Sequence, residues 1–217
     1  FRMPTYNDLF WEGSGNPNLK PETSYQAEIG NEFFRKNFSL SVTGYYNSIK
    51  DLLRWVPQEG GGDLWLPENT DNVRAYGAEV LVEWKPKIGE NHLTFNGTYA
   101  YTISESKQLI KNQLIYKQLI YVPYHKVTGS AAYNWKKLSS YFQYLYTGEV
   151  YSTPFNTPSA RVKDYNVANM GADYDFGTKK SYKIGFQVLN LFNENYQPVI
   201  SRQMPGRNYT IYINLNF

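Results

Sequence analysis

Few residues in this chain are of types that do chemistry by metal ligation or nucleophilic attack. There is no cysteine, and only two histidines occur, His92 and His125. Disulfides and thiolate centres are therefore excluded, and a histidine-based metal centre lacks ligands. His125 follows Pro123-Tyr124 with no neighbouring histidine or carboxylate cluster and reads as a structural or interfacial residue. Gly60-Gly61-Gly62 lacks the lysine and following helix that a phosphate loop needs. No Ser-His-Asp order and no catalytic pair of carboxylates stands out, so neither an enzyme nor a cofactor is indicated. What remains is recognition. Trp55 and Trp65 bracket the glycine triplet, and an aromatic loop of this kind can cover a ligand. Arg202 and Arg207 flank a later loop, and a guanidinium suits an anionic ligand. Trp55, Trp65 and Arg202 are the candidate ligand contacts; Arg207 reads as part of the turn that starts the last strand.

The elements that must position these residues are strands. Apolar residues alternate with polar ones along nearly the whole chain. Tyr25, Ala27, Ile29 and Phe33 oppose Gln26, Glu28 and Glu32, and Ala78, Val80, Val82 and Trp84 oppose Glu79 and Glu83. A sixth strand reads from Leu138 to Val150. A seventh, around 164–177, changes parity between Val167 and Met170, which predicts a bulge near Ala168–Asn169. The last is the clearest, with Tyr209, Ile211, Ile213, Leu215 and Phe217 in one register. About nine strands result, most of them long enough to cross a bilayer at a tilt.

Composition agrees with a membrane wall. Phe, Trp and Tyr make up 18% of the chain, with Tyr 21 and Trp 5. The mean hydropathy is nevertheless −0.57. So many amphipathic rings in a polar chain suit a membrane interface. No run approaches the roughly 20 apolar residues of a spanning helix, whereas strands hide their hydrophobicity by alternation. The formal charge of +3, from 22 basic and 19 acidic residues, is too small and scattered for a nucleic-acid partner.

Connections alternate in length. The turns at 35–37, 86–91, 136–137 and 177–180 are short; the segments at 48–72, 104–123, 151–163 and 194–206 are long. Outer-membrane barrels have this asymmetry, with short periplasmic turns and long extracellular loops. All long loops are therefore expected at one end of the strands. Trp84 and Trp135 should form a membrane girdle at the periplasmic end, and Tyr101 and Tyr146 one at the extracellular end. Asn96, Thr128 and Gln143 should point to the concave side. The segment 107–121 repeats Gln-Leu-Ile at 108–110, 113–115 and 118–120. That five-residue period suits neither helix nor strand, and reads as a hairpin tip beyond the membrane or a surface for a partner protein.

Three stretches resemble the TonB-dependent receptor family. Phe1-Arg2-Met3-Pro4-Thr5-Tyr6-Asn7-Asp8-Leu9-Phe10, followed by Gly15-Asn16-Pro17-Asn18-Leu19-Lys20-Pro21-Glu22, is similar to its "FRxPT…GNPxLKPE" signature. Asn190-Leu191-Phe192-Asn193-Glu194-Asn195-Tyr196 is similar to "NLFNxxY", and Met204-Pro205-Gly206-Arg207-Asn208-Tyr209 with terminal Phe217 to "PGRxY…F". Tyr121-Val122-Pro123-Tyr124-His125 is similar to a weaker "YxPxH". The resemblance implies an all-β fold, an antiparallel transmembrane β-barrel segment, with these strands the last of a barrel of about 22. Residues 1–217 would be its C-terminal part, the plug domain and TonB box being absent. Phe1 begins without a leader pattern, as a fragment of a longer protein would.

The resemblance further implies a receptor in the outer membrane of a Gram-negative bacterium. It would take up a scarce ligand, a ferric siderophore, haem or cobalamin, as a small metal-chelate cargo. Its partners would be the TonB complex through the missing N-terminal region, the barrel-assembly machinery and outer-membrane lipid. Phe217, in register with Tyr209, Ile211, Ile213 and Leu215, resembles the assembly signal of such proteins. Two rivals stay open: a passive porin-like channel, and a soluble aromatic-rich carbohydrate-binding β-sandwich. An outer-membrane phospholipase is a more distant one, lacking a visible Ser–His pair.

Overall fold

A computed structural model describes residues 1–58, 64–70, 72–110, 113–177 and 181–216. In chain order the strands are β1 (Thr23–Arg35), β2 (Phe38–Lys50), β3 (Leu52–Pro57), β4 (Trp65–Thr70), β5 (Val73–Trp84), β6 (Lys87–Ile88), β7 (Asn91–Ile110), β8 (Gln113–Gln118), β9 (His125–Trp135) and β10 (Leu138–Thr147). There follow β11 (Val150–Tyr151), β12 (Arg161–Val162), β13 (Tyr165–Asp175), β14 (Ser181–Leu189) and β15 (Asn208–Asn216). One short helix, α1 (Tyr6–Phe10), precedes them. Among the described residues one antiparallel sheet of eleven strands follows the path β1-β2-β5-β7-β9-β10-β13-β14-β15, with β6 and β8 paired to β7 beside it. β1 and β15 are its outer strands, so the sheet is open.

The registers carry one face unbroken across the sheet. Val42 pairs with Val80, Val80 with Tyr99, Tyr99 with Val127, Val127 with Tyr146. At the far side Phe186 pairs with Ile211 and Ile184 with Ile213. This face is apolar and bare: Ile29 is 80% exposed, Ile211 74% and Val42 42%. A soluble monomer does not leave so large an apolar surface in water, and a lipid-facing wall requires one. The opposite face is polar and knitted by side chains. The hydroxyls of Thr98 and Thr128 meet at 2.5 Å, Asn96 donates to Ser130, and the Tyr45 hydroxyl lies 2.6 Å from that of Thr102. On this face the Tyr212 ring lies across Gly185, where an added Cβ would fall 2.1 Å from Cζ. Glycine is required there by the ring rather than by its backbone.

The connections divide as the alternation predicts. β1–β2, β5–β7, β9–β10 and β13–β14 join at one end, where Arg35 pairs with Phe38 and Trp135 with Leu138. Lys36 and Lys136 take positive φ (45° and 51°) to close the two tightest turns. The long connections, including the β3–β4 and β11–β12 pairs, lie at the other end. Residues 178–180 of the fourth turn lie outside the described set.

Three boundaries differ from the sequence reading. β13 has no bulge, because its register with β10 is continuous from Tyr174 to Tyr165. Its parity changes because Val167 is buried at the loop end, where the Tyr165 ring packs against Tyr196 at 4.7 Å. Loop packing there replaces lipid as the apolar partner. β10 ends at Thr147, and Val150 belongs to β11, paired with Val162. The loop expected from 104 begins later, since β7 runs to Ile110 and returns as β8. Gln108 pairs with Ile115, Leu109 with Leu114 and Ile110 with Gln113. Two repeat copies thus lie on the two arms of one hairpin.

Candidate functional site

The loop end is built by three polar anchors, and each sits on a sequence signature. The first is the segment before β1. Thr5 caps α1 by accepting from Asp8 N–H, and the Asp8 carboxylate accepts from both Thr5 N–H (2.8 Å) and the Thr5 hydroxyl (2.8 Å). The other Asp8 oxygen accepts from the Trp55 indole N–H at 2.9 Å. Arg2 lies between Asp8 and Glu22 at 3.8 and 3.9 Å. Glu22 accepts from Leu53 N–H, Asn69 and Lys20 exchange hydrogen bonds, and Asn16 donates to the Pro67 carbonyl. The FRMPT…GNPNLKPE stretch is therefore a strap that fastens the β3–β4 hairpin. Burial opposes ionisation of Asp8, but donors from Thr5 and Trp55, with the Arg2 charge, outweigh it and hold the carboxyl below its usual value of 3.8.

The second anchor roots the β7–β8 hairpin. Arg74 Nη2 reaches Glu105 at 2.9 Å, and its guanidinium carbon lies 3.6 Å from the centre of the Tyr116 ring. The Tyr124 hydroxyl donates to Glu105 at 3.2 Å. Burial, with the Glu105 charge, pushes the Tyr124 phenol up to about 12, so it stays a donor. Gln118 donates to the Val122 carbonyl at 2.6 Å and its own carbonyl accepts from Asn156, tying this hairpin to the next loop.

The third anchor is the NLFN segment. Asn190, buried at φ 52°, accepts from Glu194 N–H (2.8 Å) and donates to the carbonyls of Glu194 (2.9 Å) and Pro205 (3.2 Å). Asn193 accepts from Arg207 N–H at 2.9 Å, and its Oδ1 lies 2.8 Å from where a Cβ on Gly206 would sit. The two signatures NLFN and PGR thus close one loop upon itself.

Trp55 and Trp65 lie on the two arms of the β3–β4 hairpin, opposite Pro67 and Pro57. Trp65 is exposed, while Trp55 spends its N–H on Asp8. Arg202 is exposed on the separate 190–207 loop, its backbone bonded to Val199. Gly60-Gly61-Gly62 falls outside the described residues, as does Phe217; Tyr209, Ile211, Ile213 and Leu215 share the exposed face of β15. Trp84 and Trp135 are exposed at the turn end of the apolar face, and Tyr101 and Tyr146 share that face toward the loops. Trp84 stacks on Phe95 at 5.3 Å. Asn96, Thr128 and Gln143 belong to the polar face. His125, read as interfacial, accepts or donates at Nδ1 with the Tyr99 hydroxyl (2.9 Å) and packs on Tyr101. Sequence reading missed Asp8 and Asn190, which were visible only as letters of a signature and not as buried hydrogen-bonding groups.

Known proteins of similar sequence and shape point the same way. Two vitamin B12 transporters named BtuB are similar to this chain. That of Vibrio vulnificus is 27% identical over 222 residues, covering 100% of this chain and 33% of the relative. That of Photobacterium profundum is 30% identical over 216 residues, covering 96% and 32%. The chain thus spans about a third of these relatives' length. Among solved structures, the copper transporter OprC superposes with a TM-score of 0.73 at 17% identity, over 100% of this chain and 36% of that one. The ferric-catecholate import receptor Fiu of K12 E. coli gives 0.68 at 20%, over 96% and 30%. At these identities the structures speak for the fold alone. Residues 1–191 match the family described as TonB dependent receptor-like, beta-barrel, and the chain belongs to that family.

Proposed function

We propose that these residues form the C-terminal part of a Gram-negative outer-membrane receptor for energised uptake of a scarce ligand, with cobalamin the favoured cargo. The observation that carries the reading is the sheet itself. One face is bare and apolar, the other polar, and every long connection is gathered and fastened at one end. A wall of that kind crosses a bilayer and presents loops to one side. The relatives' names favour cobalamin over a ferric siderophore or haem. A plug and the contact with the TonB complex belong, in this reading, to the part of the protein preceding Phe1. Trp65 and Arg202 contact ligand from the loop end, and Trp55 does so through its ring face, its N–H being committed. Recognition and transport involve no catalytic step.

The test is genetic and direct. A strain lacking the full-length gene should lose growth on limiting cobalamin and regain it with the gene restored, while growth on ferric siderophores stays unchanged. Loss of iron-chelate uptake with cobalamin uptake intact would reassign the cargo. Energised uptake must also vanish when TonB is removed; uptake that persists would mark a passive channel.

Assembly supplies a second expectation. Ile211, Ile213 and Leu215 lie on the exposed face of the outer strand β15, and Phe217 follows in the same parity. Removing Phe217 from the full-length protein should lower its folded yield in the outer membrane while synthesis continues. Normal yield with unchanged heat-modifiable mobility would remove the assembly role.

A further inference from the structure

The two ends of the sheet treat charge differently. At the loop end, four arginines meet carboxylates, Arg2 with Asp8 and Glu22, Arg54 with Glu68, Arg74 with Glu105 and Arg161 with Glu149, while Lys20, Lys50 and Arg202 stand exposed. At the turn end stand Arg35, Lys36, Lys85, Lys87, Lys136 and Lys137, all exposed. Of these six only Lys85 meets a carboxylate among the described residues, that of Glu83 at 2.7 Å. Lys137 donates to the Gly177 carbonyl, and the Lys136 ammonium lies 5.2 Å from the Trp135 ring centre.

Directly beneath these cations, along the bare apolar face, lie Trp84, Trp135, Tyr174 and Phe176. Trp135 is followed at once by Lys136, whereas Lys85 turns with Glu83 to the polar face. Successive strand residues advance about 3.3 Å, so Lys136 stands one step beyond a ring. Rings favour the boundary between acyl chains and head groups, which puts the ammonium groups at the depth of lipid phosphates. Unpaired lysines at a merely solvated edge would need no ring beneath them.

We propose that the turn end is a docking surface for anionic glycerophospholipids of the periplasmic leaflet, whose phosphodiesters Arg35, Lys36, Lys136 and Lys137 bind while the rings hold the acyl region. It rests on the outer-membrane reading above, which sets the turn end in that leaflet. The β1–β2 and β9–β10 turns carry cations in pairs, Arg35-Lys36 and Lys136-Lys137, so each of these turns can bracket one phosphate.

The experiment uses the full-length receptor, folded into phosphatidylcholine vesicles with and without added phosphatidylglycerol. Heat-modifiable mobility reports folding in both. Lipids retained after gentle extraction are then counted by native mass spectrometry. Phosphatidylglycerol should be retained over phosphatidylcholine by about tenfold or more, and the preference should fall about fivefold in each of the single variants Lys36→Gln, Lys136→Gln and Lys137→Gln. Lys50→Gln, at the loop end of β2, should leave it unchanged. A folded receptor that retains both lipids equally, or whose turn-end variants match Lys50→Gln, overturns the proposal while leaving the outer-membrane reading standing. A receptor that folds in neither bilayer overturns both.

Discussion

Val42→Arg should destabilise the full-length barrel by about 2–4 kcal/mol, the cost of placing a guanidinium near the middle of a lipid-facing wall. Val42 lies on the apolar face, paired with Val80 across β2 and β5, and is 42% exposed in the open sheet. Its neighbour Ser41 points to the opposite face, because successive strand residues alternate. Ser41→Arg therefore meets polar side chains and should cost under about 1 kcal/mol. Urea titration of the two variants in the same bilayer reads the difference. Equal costs, or a larger cost for Ser41→Arg, would mean that the two faces have been exchanged, since a slip of one residue inverts every side chain.

Asp8→Ala should free the strap. Its carboxylate serves Thr5 N–H, the Thr5 hydroxyl and the Trp55 indole N–H, so truncation leaves the half-buried indole N–H without its acceptor. Leaving such a donor unmade costs about 1–3 kcal/mol. A central figure of about 2 kcal/mol raises the open population of the strap and the β3–β4 hairpin roughly thirtyfold, and proteolytic nicking within residues 1–22 by the same factor. The barrel itself should keep its heat-modifiable mobility, because Thr5, Trp55 and Arg2, which meet the Asp8 carboxylate, lie outside the main sheet. Acid should mimic the variant. The carboxyl is held below 3.8, so its contribution is fully present above that value and is lost as pH falls through the lower folded value. Nicking of the unmodified protein should thus rise only below about pH 4, and Asp8→Ala should lack that rise. A variant no more easily cut than the original would show that Glu22 and Asn69 alone hold the strap.

Alternation by itself determined most of the wall. A strand's side chains have period two whatever surrounds them, so Tyr25, Ile29 and Phe33, or Tyr209, Ile211 and Ile213, declare their common face before any partner is known. Loop lengths declared the two ends for an equally local reason, since antiparallel neighbours must be joined alternately at top and bottom. The Gln-Leu-Ile repeat was legible as an anomaly, and its meaning required the pairing of Leu109 with Leu114.

Tertiary structure decided the rest. Sequence parity in β13 suggested a bulge, but the ladder with β10 is continuous, because Val167 is buried by packing at the loop end and needs no lipid. Trp55 looked like a free ring for a ligand; its N–H instead meets Asp8, 47 residues earlier. Asn190 and Asn193 were letters of a signature until the fold brought Pro205, Gly206 and Arg207 back upon them. Pattern along a strand is fixed by covalent geometry, so the chain displays it directly. A hydrogen bond between distant loops depends on where the intervening strands carry their ends, and only the assembled sheet specifies that.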